Sequence, residues 1–394
     1  MNDTICVDKY LCTGCCACMN VCPCSAIRMI ADLEGFLYPE IDMDKCVSCG
    51  LCKKICPQNS ECKTNDIIRV FGAINRNNDV LKTSSSGGVF RAIASKVLAE
   101  GGVVVGCAWK EHFISTHVFI TSQENLAKLS KSKYVQSYIG DVYSRTKSEL
   151  ISGRKVLFSG TPCQIAGLKS FLSKDYTNLL CVDIVCHGVP SQKYFSDYIQ
   201  YMEKKLGDTV LEYDFRYKGK FEGRYGHITT QKKNIVFNYE EDFFYSQYIR
   251  GDISRESCYK CKFADIKRVS DISLGDLWGT DYYTKEQKRN GASLVLINSK
   301  LGEYYFNLIA NQFNVVEGNL DSVIERNAQL KFPSKRTDSR DVKMRYWLEN
   351  GINSIAKKEF YDNWLIIVKR RIIDSIPLFL RKAARAFRKS KQKR

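Results

Sequence analysis

Eight cysteines near the N-terminus stand at one spacing, written twice. Cys12, Cys15, Cys18 and Cys22 precede Pro23, and 34 residues on Cys46, Cys49, Cys52 and Cys56 precede Pro57. Gaps of two residues let a tight loop wrap three thiolates around a cubane, and the fourth cysteine, on the helix that follows, reaches the other cluster. Cys12, Cys15, Cys18 and Cys56 are therefore expected around one cluster, and Cys46, Cys49, Cys52 and Cys22 around a second. Zinc knuckles also use Cys-x-x-Cys. The duplicated fourth cysteine with its proline favours two 4Fe–4S clusters instead. Such a chain moves electrons.

A second constellation lies downstream. Cys163 and Cys186 each follow an expected strand and open an expected helix, and Cys258 and Cys261 form a separate Cys-x-x-Cys. In open α/β sheets ligands bind at the carboxyl ends of strands, and helix N-termini favour thiolates. Four thiolates suffice for a third cluster; a four-thiolate zinc site, or two core cysteines and an unrelated knuckle, fits the spacing equally. Cys107 and Cys181 fall inside apolar strands. Cys6, Cys16, Cys24 and Cys62 lie outside the ligand spacing and read as small buried residues or exposed thiols.

Other residues suggest a cofactor cleft. Ser84, Ser85, Ser86, Gly87 and Gly88 precede a helical run, so small side chains would let backbone amides approach a phosphate; a plain helix cap is the alternative. Lys131, Lys133, Tyr134 and Gln136 add charge and hydrogen-bonding groups that could hold a dinucleotide, or are ordinary charged surface. His187 could supply a proton or be a structural histidine. The stretch from Asp271 to Gly279 reads as a strand and glycine turn that bring Asp276 and Trp278 near the Cys-x-x-Cys, with simple packing of Trp278 as the plainer account. There is no Gly-x-Gly-x-x-Gly or Walker A loop, which speaks against a Rossmann site or an NTPase.

These groups need positioning, and 394 residues with 44% apolar and 12% aromatic content can build two or three packed domains. Residues 1–62 read as a ferredoxin-like unit, each half supplying a hairpin, a cluster loop and a helical turn, with Gln58 to Asp66 as the linker. Strands are expected at Ile67 to Ile74, Val103 to Trp109, Lys155 to Ser159, Leu179 to Val185 and Leu294 to Asn298. Helices are expected at Val89 to Ala99, from Thr161 to about Leu172, and from Ser191 to about Lys205. This alternation predicts a mixed core over 67–150 and 151–335, partly parallel, followed after Gly207 by a β-rich, aromatic stretch. The fold class is α+β: a bacterial-type ferredoxin domain, a mixed α/β flavin- and iron–sulfur-binding core, and a basic helical tail over 336–394.

The order of these segments is similar to one family. Gly160-Thr-Pro-Cys163-Gln164, Cys186-His187-Gly188-Val-Pro190-Ser191, Cys258-Tyr-Lys-Cys261-Lys-Phe-Ala and Asp271 to Gly279 follow Ser85-Ser86-Gly87-Gly88 and Ser132-Lys133-Tyr134-Val-Gln136-Ser137. Together they resemble the coenzyme F-420 hydrogenase/dehydrogenase beta-subunit family over about residues 67 to 335. The fused ferredoxin is similar to the electron-input subunit of F-420H2 dehydrogenases. The resemblance implies FAD and a third 4Fe–4S cluster on Cys163, Cys186, Cys258 and Cys261. It also implies FAD contacts from Ser85, Ser86, Gly87, Gly88, Lys133, Tyr134 and Gln136. The expected activity is a flavin- and iron–sulfur-dependent oxidoreductase acting on a deazaflavin or another small organic substrate, with a ferredoxin or partner subunit on the one-electron side. Direction of flow, substrate and donor stay open. A non-catalytic relay subunit is the alternative, and a cluster-bearing binding protein working through its tail is a third.

The net charge of +17 is concentrated late, with 19 Lys and Arg against 6 Asp and Glu from Lys331 onward. Nothing in the redox motifs supports nucleic acid as its partner. Ser375 is expected to cap a basic amphipathic helix with Pro377 in its first turn, its apolar face formed by Ile376, Phe379, Leu380, Ala383 and Phe387. Such a helix could lie on an anionic membrane surface. The N-terminus shows no secretory pattern and no apolar run approaches the ~18 residues of a span. Together with the thiolate sites, this places the protein in the cytoplasm, possible membrane contact being peripheral.

Overall fold

The computed structural model describes residues 5–218, 224–279, 282–284 and 291–376. The chain opens with two short helices, α1 (Ala17–Val21) and α2 (Leu51–Lys54), separated by the antiparallel hairpin β1 (Ile27–Ala31) and β2 (Leu37–Ile41). The sequence repeat is visible in the backbone. Gly14 and Ser48 hold φ of 64° and 55°, and Cys16 and Gly50 hold 63° and 72°, so each cysteine loop turns left-handed at the same two places. One hairpin is present among the described residues of this unit, where the repeat suggested two. Past Pro57 the chain is drawn onto the core: Asn65 and Arg268 exchange backbone hydrogen bonds of 2.7 and 2.9 Å.

The core follows as β3 (Arg69–Asn75), α3 (Asn78–Lys82), α4 (Val89–Ala99), β4 (Val103–Lys110), β5 (Ile114–Ile120), α5 (Val142–Ile151), β6 (Val156–Gly160), α6 (Pro162–Leu172), β7 (Leu179–Ile184) and α7 (Gln192–Leu206). Next come β8 (Val210–Asp214), β9 (Tyr225–Thr230), β10 (Asn234–Asn238), α8 (Phe243–Arg250) and α9 (Glu256–Tyr259). The chain then runs through β11 (Ile272–Asp276), β12 (Ser293–Ile297), α10 (Lys300–Ile309), β13 (Phe313–Glu317), α11 (Leu320–Ile324) and α12 (Arg340–Ser375).

Eight strands form one mixed sheet in the order β13-β3-β12-β11-β7-β6-β4-β5. β4, β6, β7 and β11 run parallel and the remaining pairs are antiparallel. Central strands are apolar on both faces, as a sheet covered on both sides requires: every residue of β12 is buried. α4 and α10 cover one face, and α5 and α6 cover the other together with α1 of the N-terminal unit.

A separate aromatic core joins α7, the sheet β8–β10, α8 and the start of α12. Phe195 packs within 4.8 to 5.9 Å of Tyr198, Tyr213, Phe215 and Phe244. α12 begins within this core, with Met344, Trp347 and Ile355 buried, and breaks at Gly351, where φ is 75°. Beyond the break it exposes Phe360, Trp364, Val368, Ile372 and Ile376 at every fourth position, beside Tyr361 and Leu365. Ser375 closes this helix rather than opening another. The amphipathic helix expected from Pro377 on lies outside the described residues.

Candidate electron-transfer and cofactor sites

The N-terminal thiols gather as the spacing predicts. Cys12, Cys15, Cys18 and Cys56 line one cavity, closed by Ile5, Met29, Pro39 and Pro57. Burial pushes the Cys15 and Cys18 thiols up, and neighbouring sulfurs push further, Cys12 acting on both and Cys56 on Cys18. A bound iron core answers both effects, because its positive charge stabilises thiolates that burial and mutual repulsion disfavour. Cys22 and Cys49 act in the same way on Cys52. That second site is the outer one: Cys49 is exposed, and so are Met43, Val47 and Leu51 around it. Cys6 and Cys16 are buried beside the first site, and burial pushes each to about 12.

The four downstream cysteines also converge. Cys163 sits in the first turn of α6, where Pro162 and a reciprocal Thr161–Gln164 cap fix the helix start, and its Sγ lies 3.1 Å from Thr161 Oγ1. Cys186 follows β7 directly. Gly188, with φ of 95°, lets the next turn press on α9, since a Cβ there would lie 2.8 Å from Ser254 Oγ and 3.3 Å from Cys258 Cβ. Burial pushes Cys163 to about 11 and Cys258 to about 12, and drives Cys186 well above its usual range. The next influence on each comes from another member of the group: Cys261 on Cys163 and Cys258, and Cys258 on Cys186. All four thiols keep some accessible surface. Among the described residues no three His, Cys, Asp or Glu side chains close tightly enough to hold a single metal ion.

Arg268 secures the loop that carries Cys261. It is 2% exposed, and its guanidinium donates to Asp183 Oδ1 at 2.9 Å, Ser273 Oγ at 2.9 Å and the carbonyls of Phe263, Asp265 and Ile184. The loop is thereby tied to β7 and β11, the strands that end beside Cys186.

The expected cofactor loop meets a second segment at the same edge of the sheet. Ser132 Oγ donates to Ser85 Oγ at 2.9 Å, Ser86 Oγ donates to Ala292 O at 2.7 Å, and Gly87 N donates to Ser293 Oγ at 2.9 Å. Gly87 has no room for a side chain: a Cβ would lie 2.0 Å from Ala73 O. Gly88, with φ of 88°, starts α4 without a side-chain cap. Lys218 donates to Ser86 O at 2.5 Å and Leu81 O at 2.8 Å, and burial lowers its amine to about 7. Arg216 pairs with Asp276 at 2.6 Å and lies 5.6 Å over the Trp278 ring. Burial depresses the proton affinity of His187, with Asp276 opposing the shift and Arg224 adding to it. Ile184 adds an apolar element. It lies on the central strand β7, yet is 43% exposed, so an apolar surface opens at the strand's carboxyl end beside Cys186.

Lys133 and Gln136, also expected here, are engaged in other contacts, while the Tyr134 hydroxyl lies 3.5 Å from Arg216 Nη1. Lys133 turns its buried amine to the carbonyls of Ser130 and Lys131, and Tyr134 stacks on Tyr248 at 4.5 Å. Gln136 faces the N-terminal unit, donating to Thr13 O at 3.0 Å and accepting from Arg255 at 3.2 Å. Arg255, Arg268, Arg216 and Lys218 belong to no short motif; only Arg255, three residues before Cys258, lies close to a recognisable one.

Residues 153–322 match the family described as the C terminus of the beta subunit of coenzyme F420 hydrogenase/dehydrogenase, and residues 11–60 match the 4Fe-4S dicluster domain. The F subunit of F(420)H(2) dehydrogenase from Methanosarcina mazei is 24% identical over 371 residues, spanning 88% of this chain and 97% of that protein. The coenzyme F420-dependent sulfite reductase of Methanocaldococcus jannaschii is 24% identical over 387 residues, 90% of this chain and 56% of that protein. A chain of the F420-reducing [NiFe] hydrogenase complex from Methanosarcina barkeri superposes with a TM-score of 0.46 at 16% identity, covering 79% of this chain and 94% of that one. The chain is an iron–sulfur electron-transfer protein related to oxidoreductase subunits. Residues 153–322 carry the C-terminal domain of the coenzyme F420 hydrogenase/dehydrogenase beta subunit, with a 4Fe–4S dicluster domain ahead of it.

Proposed function

We propose that the protein couples one-electron transfer through three 4Fe–4S clusters to two-electron chemistry on a deazaflavin or other small organic substrate, at a cleft that binds FAD. The observation that carries this reading is the convergence of Cys163, Cys186, Cys258 and Cys261 beside the apolar opening at Ile184. Bound FAD supplies the exchange between one- and two-electron transfer. Ile184 offers an apolar floor, and the Ser85 to Gly88 loop, with Ser132 and the uncapped start of α4, offers polar groups at the rim. His187, beside Cys186, remains the candidate catalytic residue, as a proton donor to a reduced product. The exposed surface around Cys49 suits a partner redox protein or subunit, since one-electron exchange needs close approach to a cluster.

Two relatives, one named as the F subunit of F(420)H(2) dehydrogenase and one as a coenzyme F420-dependent sulfite reductase, support a deazaflavin as the substrate class. Iron and flavin per chain test the reading in protein prepared without oxygen. About 12 iron atoms with one flavin support it; about 8 with no flavin leave a two-cluster relay subunit and overturn it.

A peripheral membrane position is a second reading, favoured by the exposed apolar stripe from Phe360 to Ile376. Lys357, Lys358, Lys369 and Arg371 lie along the same helix, the composition of an interfacial helix on anionic lipid.

A further inference from the structure

We propose that Arg255 is a positioning residue that clamps the first cluster loop to the core and, through its fixed charge, makes the first and third clusters easier to reduce than the second. The part concerning the third cluster rests on the function proposed above; the part concerning the first does not.

Arg255 is 1% exposed. Its Nε donates to Cys12 O at 2.7 Å, Nη2 to Leu37 O at 2.9 Å and Nη1 to Gln136 Oε1 at 3.2 Å. Two acceptors belong to the N-terminal unit and one to the core, so a single guanidinium spans the junction. The ring of Tyr38 lies 4.2 Å from it. Gly14 makes the approach possible, because a Cβ there would stand 2.8 Å from Gln136 Nε2 and 3.2 Å from Arg255 Nη1.

Among the described residues no carboxylate pairs with this buried cation. A buried charge without a counter-charge is strongly unfavourable, and the titratable groups its charge reaches are the Tyr38 phenol and cysteine thiols. Its charge is felt by Cys16 in the first cluster loop and by Cys163 and Cys258 of the downstream group. Cys52 of the second cluster has Cys49 and Cys22 as its charged neighbours and not Arg255.

The first and third sites also lie against one another. A Cβ on Gly167 would meet Cys15 Cβ and Sγ at 3.0 Å, and Gly167 is one turn, about 6 Å of rise, along α6 from Cys163. Tyr143 fills the same junction, donating to Gln164 O at 2.7 Å and sensing Cys15, Cys16 and Cys163 together. A fixed positive charge stabilises a cluster that has gained an electron. Placed at this junction it makes inward transfer, from the exposed second cluster to the first and then the third, the downhill direction.

The test is a redox titration of the full-length, anaerobically loaded protein, followed by the electron paramagnetic resonance of each reduced cluster. Arg255→Met removes the charge, Arg255→Lys keeps the charge but not the fork, and Gln136→Glu places a carboxylate against the guanidinium. The midpoint of the first cluster should fall in Arg255→Met and Gln136→Glu and stay near the parent in Arg255→Lys, with the second cluster unmoved throughout. If Arg255→Met fails to assemble, Gln136→Glu alone decides. An unchanged first cluster in an assembled Gln136→Glu protein, or an equal fall in both clusters, overturns the proposal. Iron counted on the parent reports separately whether the third cluster exists, and the comparison of first with second holds either way.

Discussion

Arg268 and Asp183 place opposite charges 2.9 Å apart with side-chain exposures of 2% and 0%. Removing one partner of such a pair leaves the other stranded, so Arg268→Ala should cost about 3–5 kcal/mol in urea unfolding and release the Cys258–Cys261 loop. Cys163→Ser should lower iron from about 12 to about 8 atoms per chain while both N-terminal clusters keep their spectra; loss of all iron would mean that Cys163 serves the fold. Asp242 gives a pH signature away from the redox sites. Burial pushes its carboxyl up to about 6, against hydrogen bonds from Tyr198 and the Tyr245 amide. The folded protein then keeps this proton up to about pH 6, where the unfolded chain releases it near 3.8, so stability falls as pH rises through that window. Asp242→Asn should gain in Tm relative to the parent between about pH 4 and 6 and hold a constant lead above it. The ligand cysteines are legible in the sequence because their chemistry dictates spacing along the chain. The pairing of Arg255 with Gln136 and the N-terminal unit is not, because those partners lie more than a hundred residues away.

α6 shows how an element carries several duties. Its capped start holds Cys163, its apolar face fills the sheet, and Gly167 admits Cys15 on the other side. Gly167→Val should cost roughly 1–3 kcal/mol by overpacking and slow electron transfer between the first and third clusters in stopped-flow reduction, with iron content unchanged. The second half of α12 makes a different prediction. Its apolar stripe and basic residues should bind anionic vesicles, binding should weaken with salt, and Trp364→Ser with Leu365→Ser should abolish it; binding to neutral vesicles alone would exclude the electrostatic account. The strands and helices that bear the cysteines are readable because apolar runs alternate with glycine and proline breaks; α4 falls at Val89–Ala99 as expected. β5 is hidden in the sequence because Ser115, Thr116 and His117 interrupt its pattern, although all three are buried and satisfied: His117 bonds Ser137 Oγ at 2.7 Å and Ser159 O at 2.9 Å. The early part of the tail reads as basic and peripheral, since one tryptophan among many charges does not reveal that Trp347 packs 4.7 Å from Tyr194.

At the scale of the molecule the N-terminal unit is built onto the core at several points. Asn20 donates to Gly140 O at 2.7 Å, Lys193 donates to Leu33 O at 2.9 Å, and Arg340, at the start of α12, pairs with Glu34 in the β1–β2 turn. A chain ending after residue 376 should therefore keep its cluster spectra and resistance to proteolysis. One ending at residue 339 should lose protection around Glu34, which limited digestion would show. The repeat makes the two-cluster unit readable, but its seat on the core depends on pairings between distant residues that no local pattern encodes. The graded exposure of the thiols has a consequence for handling. Cys49 is exposed, Cys18 is buried, and the four downstream cysteines are half-buried. Oxygen should therefore strip the cluster at Cys49 first, and a sample briefly exposed to air would fall from about 12 iron atoms to about 8 while the inner path stays whole. Damage would then separate the protein from its partner before it touched the chemistry inside.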